Sequence, residues 1–402
     1  MIDRIKAQVE TLFPELVRIR RHIHADPELS YEEYRTAAFV ADELEKLGIP
    51  CTRGVAGTGV VALIEGRNPA SRCIALRADM DALPITEAAD REYRSRNEGV
   101  MHACGHDVHT ACLLGAAALL QQLKEEFEGT VKLIFQPGEE KSPGGASLMI
   151  AAGVLEHPAP EAILGLHVYP QLPAGMAGFR AGQYMASADE LYITIKGKGG
   201  HAALPQQTVD PIAISALIIT GLQQVVSRKS NPLSPTVLTF GKIAGGSATN
   251  IIPESVELTG TLRTFDEQWR REAIRLIRSF TANTAAAYGA EAIIHIPEGY
   301  PTLFNDPSVT QQARSFAEDF LGPGQVAELD LRMGAEDFSF YTQHIKGCFF
   351  RIGTNRNGRD FTTPVHNAAF DVDETSLKTG AGLMCYIAWR MLAAKKGTAG
   401  GM

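Results

Sequence analysis

Residues 73–81 read "CIALRADMD". This short β-rich run closes on two aspartates, Asp79 and Asp81. The residues after it decide the fold. Residues 101–120, "MHACGHDVHTACLLGAAALL", lead into a helix that runs to about Lys124. A second β-rich run, "VKLIFQPGEE", occupies 131–140. "GGASLMIAAGVL" is helical, and "AILGLHVYP" at 162–170 is a strand again. Strand and helix alternate, which predicts an α/β sheet with parallel members. Upstream, "GVVALIEG" at 59–66 adds a strand. The first ~45 residues read as helical, with a 3.6-residue apolar stripe and a glycine stop in "YEEYRTAAFVADELEKLG".

The texture changes from about Ser187. "ELYITIKGKGG", "TVLTFGKIAGG", "ESVELTGTLRTF" and "EAIIHIPEG" read as strands. "DPIAISALIITGLQQVVSR" and "EQWRREAIRLIRSFTANTAAAYG" read as helices. Their order, β-α-β-β-α-β, is that of a ferredoxin-like unit. From about Tyr300 the chain returns to helix, strand and a final helix, "TSLKTGAGLMCYIAWRMLAA". The expectation is a discontinuous α/β catalytic domain, 1–184 and 299–402, carrying an inserted α+β lid and dimerisation domain at 185–298. The tail "KKGTAGGM" is expected to be disordered.

Composition narrows the function. The chain has 402 residues, 45% hydrophobic and 21% charged, with a net charge of −8. An acidic balance without a basic stripe argues against nucleic acid or an anionic membrane as partner. No apolar run of ~18 residues predicts a membrane span. "MIDRIKAQVETLF" lacks an apolar signal core, which predicts a cytoplasmic protein. Six scattered cysteines read as reduced thiols rather than a disulfide framework.

Metal-capable residues fall at strand ends and before a helix. Cys104 and His106 precede the helix. Glu139 and Glu140 close "LIFQPGEE", His167 lies in "LGLHVYP", and His366 lies in "TTPVHNAAF". Any one of these is commonly structural. Together, cysteine, histidines and carboxylates suit a divalent metal site. In open α/β sheets such sites gather beyond the carboxyl ends of strands. Two vicinal glutamates can divide the work, one as ligand and one as general base. Competing motifs fail: "GTGVVA" at 57–62 matches a dinucleotide fingerprint but precedes a strand.

The motifs "RRHIHADPELSYEE", "RADMDALPI", "MHACGHDVHTA", "FQPGEE", "GLHVYP", "GKGGHAALP", "TNIIPESVELTGTLRTFD", "MGAEDFSFY" and "TPVHNAAFD" occur in that order. The chain resembles the dinuclear metallo-amidohydrolase and peptidase family. That family holds hippurate hydrolase, N-acyl-L-amino acid amidohydrolases and plant hydrolases of indole-acetyl-amino acid conjugates. The resemblance implies Cys104, His106, Glu140, His167 and His366 as metal ligands, and Glu139 as general base. It implies Asp81 as a carboxylate orienting a ligand, with Asp79 near it. His201 would approach the scissile carbonyl, and Asn250 and Arg263 would bind the substrate's free carboxylate. His201 follows a glycine-rich turn and has no evident partner in its own segment. Structural roles are expected for His102, His109, His22 and His24.

The implied cofactors are two divalent ions per subunit, manganese or zinc, with cobalt or nickel as further options. The implied reaction is hydrolysis of the amide of an N-acyl amino acid. A dipeptidase or carboxypeptidase with the same mechanism is the alternative. A homodimer or homotetramer through the inserted domain is the implied assembly.

Overall fold

Two strands, β1 (Cys51–Val55) and β2 (Gly59–Glu65), enter antiparallel at one edge of an eight-stranded sheet. β3 (Cys73–Asp79), β4 (Thr130–Gln136) and β5 (Ala162–Pro173) come next along the chain, and β3 runs parallel to both of the others. All residues of β3 and β4 are buried, as expected of central strands covered on both faces. Strand Lys346–Asn355 lies parallel to β5. β6 (Ala177–Phe179) and strand Val326–Glu328 complete the far edge. The sheet order is therefore β1, β2, β4, β3, β5, 346–355, β6, 326–328. The computed structural model describes residues 1–355 and 363–393. The tail "KKGTAGGM" lies outside them.

Helices cover the sheet. α1 (Ile2–Ala25) and α2 (Tyr34–Lys46) divide the N-terminal region that sequence reads as one helical stretch. "DPELSYEE" breaks it, with Pro27 in the gap and Tyr31 at φ 70°. α3 (His106–Gln122) is buried along nearly its whole length, which explains its all-round apolar sequence after the first turn. It packs against α1 and the C-terminal helix Ser376–Ala393. α4 (Gly145–Ala151) is shorter than the apolar text around it suggests.

The chain divides into two compact units. The first comprises Met1–Gly182, Phe304–Asp330 and the stretch from Phe340 onward. The second comprises Gln183–Leu303 and Leu331–Ser339. The short 331–339 stretch, which holds most of "MGAEDFSFY", thus belongs with the second unit and not with the larger one to which sequence assigned it. Each unit has its own apolar core. Leu76, Leu133 and Leu166 lie in the first, and Ile193, Ile218 and Ile277 lie in the second.

The second unit is an antiparallel four-stranded sheet in the order 236–244, 255–264, 189–196, 291–295. Numbered along the chain, that order is 2-3-1-4, the ferredoxin-like arrangement. Helices Pro211–Gln224 and Glu267–Ala287 pack on it. Both begin with an aspartate cap. Asp210 accepts from the Ile212 and Ala213 N–H groups, and Asp266 from that of Trp269. The expectation about apolar runs needs amending here. Pro211–Lys229, 19 residues at mean hydropathy 1.2, is long and apolar enough to cross a membrane by those measures alone. Its inner face, Ile214, Ile218 and Leu222, is core of this unit.

Candidate metal centre

The site lies beyond the carboxyl ends of β4, β3 and β5. After β3 the chain turns to β4 on one side, then crosses to β5 on the other. Crevices form where a parallel sheet reverses in this way. Gly105 supplies the turn that aims two donors into the crevice. Its φ is 83°, and a Cβ there would meet Val168 Cγ2 at 2.6 Å. Only glycine combines that backbone with that clearance. Cys104 and His106 therefore flank a glycine at the mouth of α3.

Five residues that sequence singled out converge within the first unit. Cys104 Sγ lies 3.4 Å from His167 Nε2. His366 Nε2 lies 3.2 Å from Glu140 Oε1, and His106 Nε2 lies 3.9 Å from the same oxygen. Cys104, His106 and His167 offer donor atoms within 4.8 Å of one another, as do Cys104, Glu140 and His366. Glu139 joins His106 and Glu140 in a third such group.

These spacings fit the edge of a coordination shell. Bonds of about 2.0–2.3 Å put neighbouring tetrahedral donors roughly 3.3–3.6 Å apart. One donor atom also lacks any hydrogen-bond partner though buried, His106 Nε2. Buried polar atoms are rarely left so unless something else binds them. The donor set of one thiol, three imidazoles and a carboxylate suits a borderline divalent cation.

Two of the histidines use their other ring nitrogen as well. His106 Nδ1 lies 3.1 Å from Asp81 Oδ1, and His167 Nδ1 donates to the Val168 carbonyl at 2.8 Å. Each bond orients a ring so that Nε2 faces the cluster, the usual support for a metal-binding histidine. Asp81 Oδ2 meanwhile accepts from the Glu140 N–H at 2.9 Å and the Ser30 hydroxyl at 2.6 Å. One carboxylate thus orients both His106 and the backbone of Glu140. His366 sits at φ 63°, its N–H bonded to the Ala103 carbonyl, which ties its loop to the Cys104 segment.

Asp79 and His109 also border the cluster, but as supports. Asp79 Oδ1 is 2.6 Å from His109 Nδ1, and Oδ2 is 2.5 Å from Arg77 Nη1. His109 Nε2 accepts from the Val168 N–H at 2.9 Å. Both ring nitrogens and both carboxylate oxygens are engaged. His102 is buried nearby, and among the described residues it joins no group of donor atoms close enough to share an ion. His22 stacks on Phe39 and His24 pairs with Asp107.

The local field favours positive charge. Burial alone would lower the His106 imidazole, yet Asp79, Asp81 and Glu140 push it up to about 10. Burial raises the Cys104 thiol well above its ordinary range, and Glu140, Glu139 and Asp79 raise it further. A thiol among three carboxylates ionises only with a cation beside it. Burial would also raise Asp79, but Arg77, His106 and His109 hold it well below the usual carboxylate range.

His201, Asn250 and Arg263 belong to the second unit. His201 pairs with Ile251 in a two-stranded ribbon, and the Ala202 N–H donates to the Asn250 carbonyl at 3.0 Å. The structure corrects one expectation. His201 does have a partner in its own segment, since the Ala203 N–H donates to its Nδ1 at 3.1 Å. An accepting Nδ1 places the proton of the neutral ring on Nε2, which is then a donor. Arg263 is half-buried, with Nε bonded to the Thr261 hydroxyl at 3.1 Å. Burial lowers its guanidinium, against the opposing pull of Asp189 and Glu190.

The profile of peptidase family M20/M25/M40 matches residues 75–390. The chain belongs to that family. It is 42% identical to IAA-amino acid hydrolase ILR1-like 4 of Arabidopsis thaliana, over 96% of this chain and 88% of that one. It is 40% identical to thermostable carboxypeptidase 2 of Saccharolobus solfataricus, over 95% and 96%. Among solved structures it resembles the YXEP protein of Bacillus subtilis, a dinuclear metal binding peptidase of the M20 family. The TM-score there is 0.82 at 36% identity, covering 95% of this chain and 99% of the other. The M20 members and this chain share the mixed α/β architecture.

Sequence reading passed over one group of residues at the site. Ser30, Tyr31 and Glu33 reach it from the break between α1 and α2. "ELSYEE" carries no metal-capable spacing, so only their contacts reveal them.

Proposed function

We propose that the protein is a metal-dependent amidohydrolase that cleaves the amide of N-acyl amino acids, releasing a carboxylate and a free amino acid. The convergence of Cys104, His106, Glu140, His167 and His366 beside Glu139 carries this reading. The five would hold two divalent ions, manganese or zinc, as the dinuclear relative from Bacillus subtilis holds metal. Such ions, when bound, supply Lewis acidity to a carbonyl and lower the pKa of water toward about 7.

The chain's own residues do the rest. Glu139 takes the proton of the attacking water and delivers it to the departing nitrogen. Asp81 holds His106 and the Glu140 backbone in place. His201, from this chain or a partner copy, donates Nε2–H to the oxygen of the scissile carbonyl as charge builds there. Arg263 and Asn250 take the free carboxylate of the amino-acid product half, Arg263 through its forked N–H groups. The second unit serves as a lid and as the contact of a homodimer or homotetramer.

A second reading is favoured by the carboxypeptidase relative, which is nearly as similar over nearly as much of the chain. Carboxypeptidase action needs the same metal and carboxylate contacts and differs in what lies on the acyl side. The deciding assay compares N-acetyl and N-benzoyl amino acids with free dipeptides, each with added manganese or zinc. Higher kcat/KM on the acyl substrates supports the amidohydrolase. Faster dipeptide cleavage turns the assignment to the second reading. No amide cleavage with either metal ends both.

A further inference from the structure

Glu139 and Glu140 sit on a loop without regular structure. Residues 137–144 belong to no strand or helix. Adjacent side chains on an extended segment point opposite ways, so any twist of the loop re-aims both. Something must hold the loop if one glutamate is to work as base and the other as ligand.

The holding bonds come from the break between α1 and α2. Glu33 is fully buried. Its Oε1 accepts from the Gly138 N–H at 2.8 Å and the Tyr31 N–H at 2.9 Å, and its Oε2 accepts from the Thr58 hydroxyl at 2.6 Å. The Tyr31 hydroxyl donates to the Lys141 carbonyl at 2.5 Å and accepts from the Gly144 N–H at 3.0 Å. Ser30 reaches the Glu140 N–H through Asp81. The loop is pinned at 138, 140, 141 and 144: Glu139 lies between two pins and Glu140 is itself one.

Packing adds to the bonds. Gly138 has φ 57°, and a Cβ there would lie 2.2 Å from Tyr31 Cε1. The tyrosine ring therefore rests directly on the loop backbone. Tyr31 itself holds φ 70°, which a tyrosine adopts only when its surroundings impose it. Backbone strain of this kind gathers where geometry matters for function.

We propose that Glu33 and Tyr31 are positioning residues: they lock the Gly138–Gly144 loop so that Glu139 and Glu140 keep separate duties. The proposal rests on the hydrolase reading. It predicts a specific pattern. Tyr31→Phe keeps the ring on Gly138 and removes both loop bonds. Its kcat should fall about 10- to 100-fold with KM within about twofold, since small misplacements of reacting groups cost that much. Its dissociation constant for manganese, read by calorimetry on the metal-stripped protein, should rise about tenfold, a usual effect of losing an outer support. Glu33→Ala should behave likewise. Glu33→Gln should be rescued to within about threefold of wild type: its amide oxygen can accept from Gly138 and Tyr31, and its amide nitrogen can donate to Thr58.

The experiment measures turnover and manganese binding for Tyr31→Phe, Glu33→Ala, Glu33→Gln and Glu139→Gln, with thermal melts alongside. Lowered kcat, weakened manganese and rescue by glutamine support the proposal. Wild-type turnover and manganese affinity in a folded Tyr31→Phe overturn it, even if Glu33→Ala fails to fold. Equal loss in Glu33→Gln and Glu33→Ala overturns the role given to Glu33. Full turnover in Glu139→Gln would instead overturn the hydrolase reading itself, so the two failures are distinct.

Discussion

Two polar clusters meet the first turn of α3, and both draw on histidines and carboxylates. The inner one joins Arg20, His24, Glu87 and Asp107. The outer one joins Cys104, His106, Glu140, His167 and His366. In the inner cluster Asp107 Oδ2 takes both Arg20 Nε and His24 Nδ1 at 2.8 Å, and Arg91 Nε lies 2.9 Å from Glu87. Its carboxylates already have cations of the protein itself. The outer cluster gathers Glu139, Glu140, Asp79 and Asp81 around its histidines and thiol, and Arg77 pairs with Asp79.

Two histidines four positions apart report the difference. Carboxylates push His106 up to about 10, whereas burial pushes His102 down to about 3. His102 also lacks partners at both ring nitrogens. An unpaired buried nitrogen is therefore not enough to mark a metal site. What marks it is surplus negative charge and several donors aimed at one point.

Metal removal is the hardest test of that contrast. A strong chelator should abolish turnover, manganese or zinc should restore it, and far-ultraviolet circular dichroism should stay native. Turnover that survives rigorous demetallation would make the outer cluster another structural network. Next in size is Glu139→Gln, expected to cost about 10²–10⁴ in turnover, a usual general-base contribution. Elemental analysis should find its metals in place, while Glu140→Gln should lose them. An emptied Glu139→Gln site would reverse the two roles.

The inner cluster should answer in stability. Arg20→Ala leaves Asp107 buried without its guanidinium and should cost about 3–5 kcal/mol by denaturant unfolding. A loss under about 1 kcal/mol would show that the cluster does not depend on its own cations. The smallest effect is expected from His102→Leu. Removing two unpaired nitrogens should shift stability by no more than about 1 kcal/mol and leave metal content unchanged. Loss of metal in that variant would move His102 into the outer cluster.

Much of this was legible in the residues. The strand ends "RADMD" and "FQPGEE" announced where polar groups leave a sheet, because apolar runs that stop on carboxylates cannot continue into a core. Cys104 and His106 were legible because a glycine between them precedes a helix. The β-α-β-β-α-β order of the second unit was legible because each element kept its own period. The break between α1 and α2 was not, since "ELSYEE" reads as helix by composition. Its residues reveal their contacts only once the 138–144 loop lies across them.

Sequence alone determined the element types, the polar residues at strand ends and the supply of donors. Apolar periodicity is local, and each donor's chemistry travels with its residue. Tertiary structure decided which donors share a point. Cys104 and His167 are 63 residues apart and their donor atoms are 3.4 Å apart. It also decided which histidines are spent. His109 gives one nitrogen to Asp79 and the other to Val168, while His106 keeps Nε2 without a hydrogen-bond partner. Hydrogen bonds and fields act over a few ångströms of space, and separation along the chain does not set that distance until the sheet has formed.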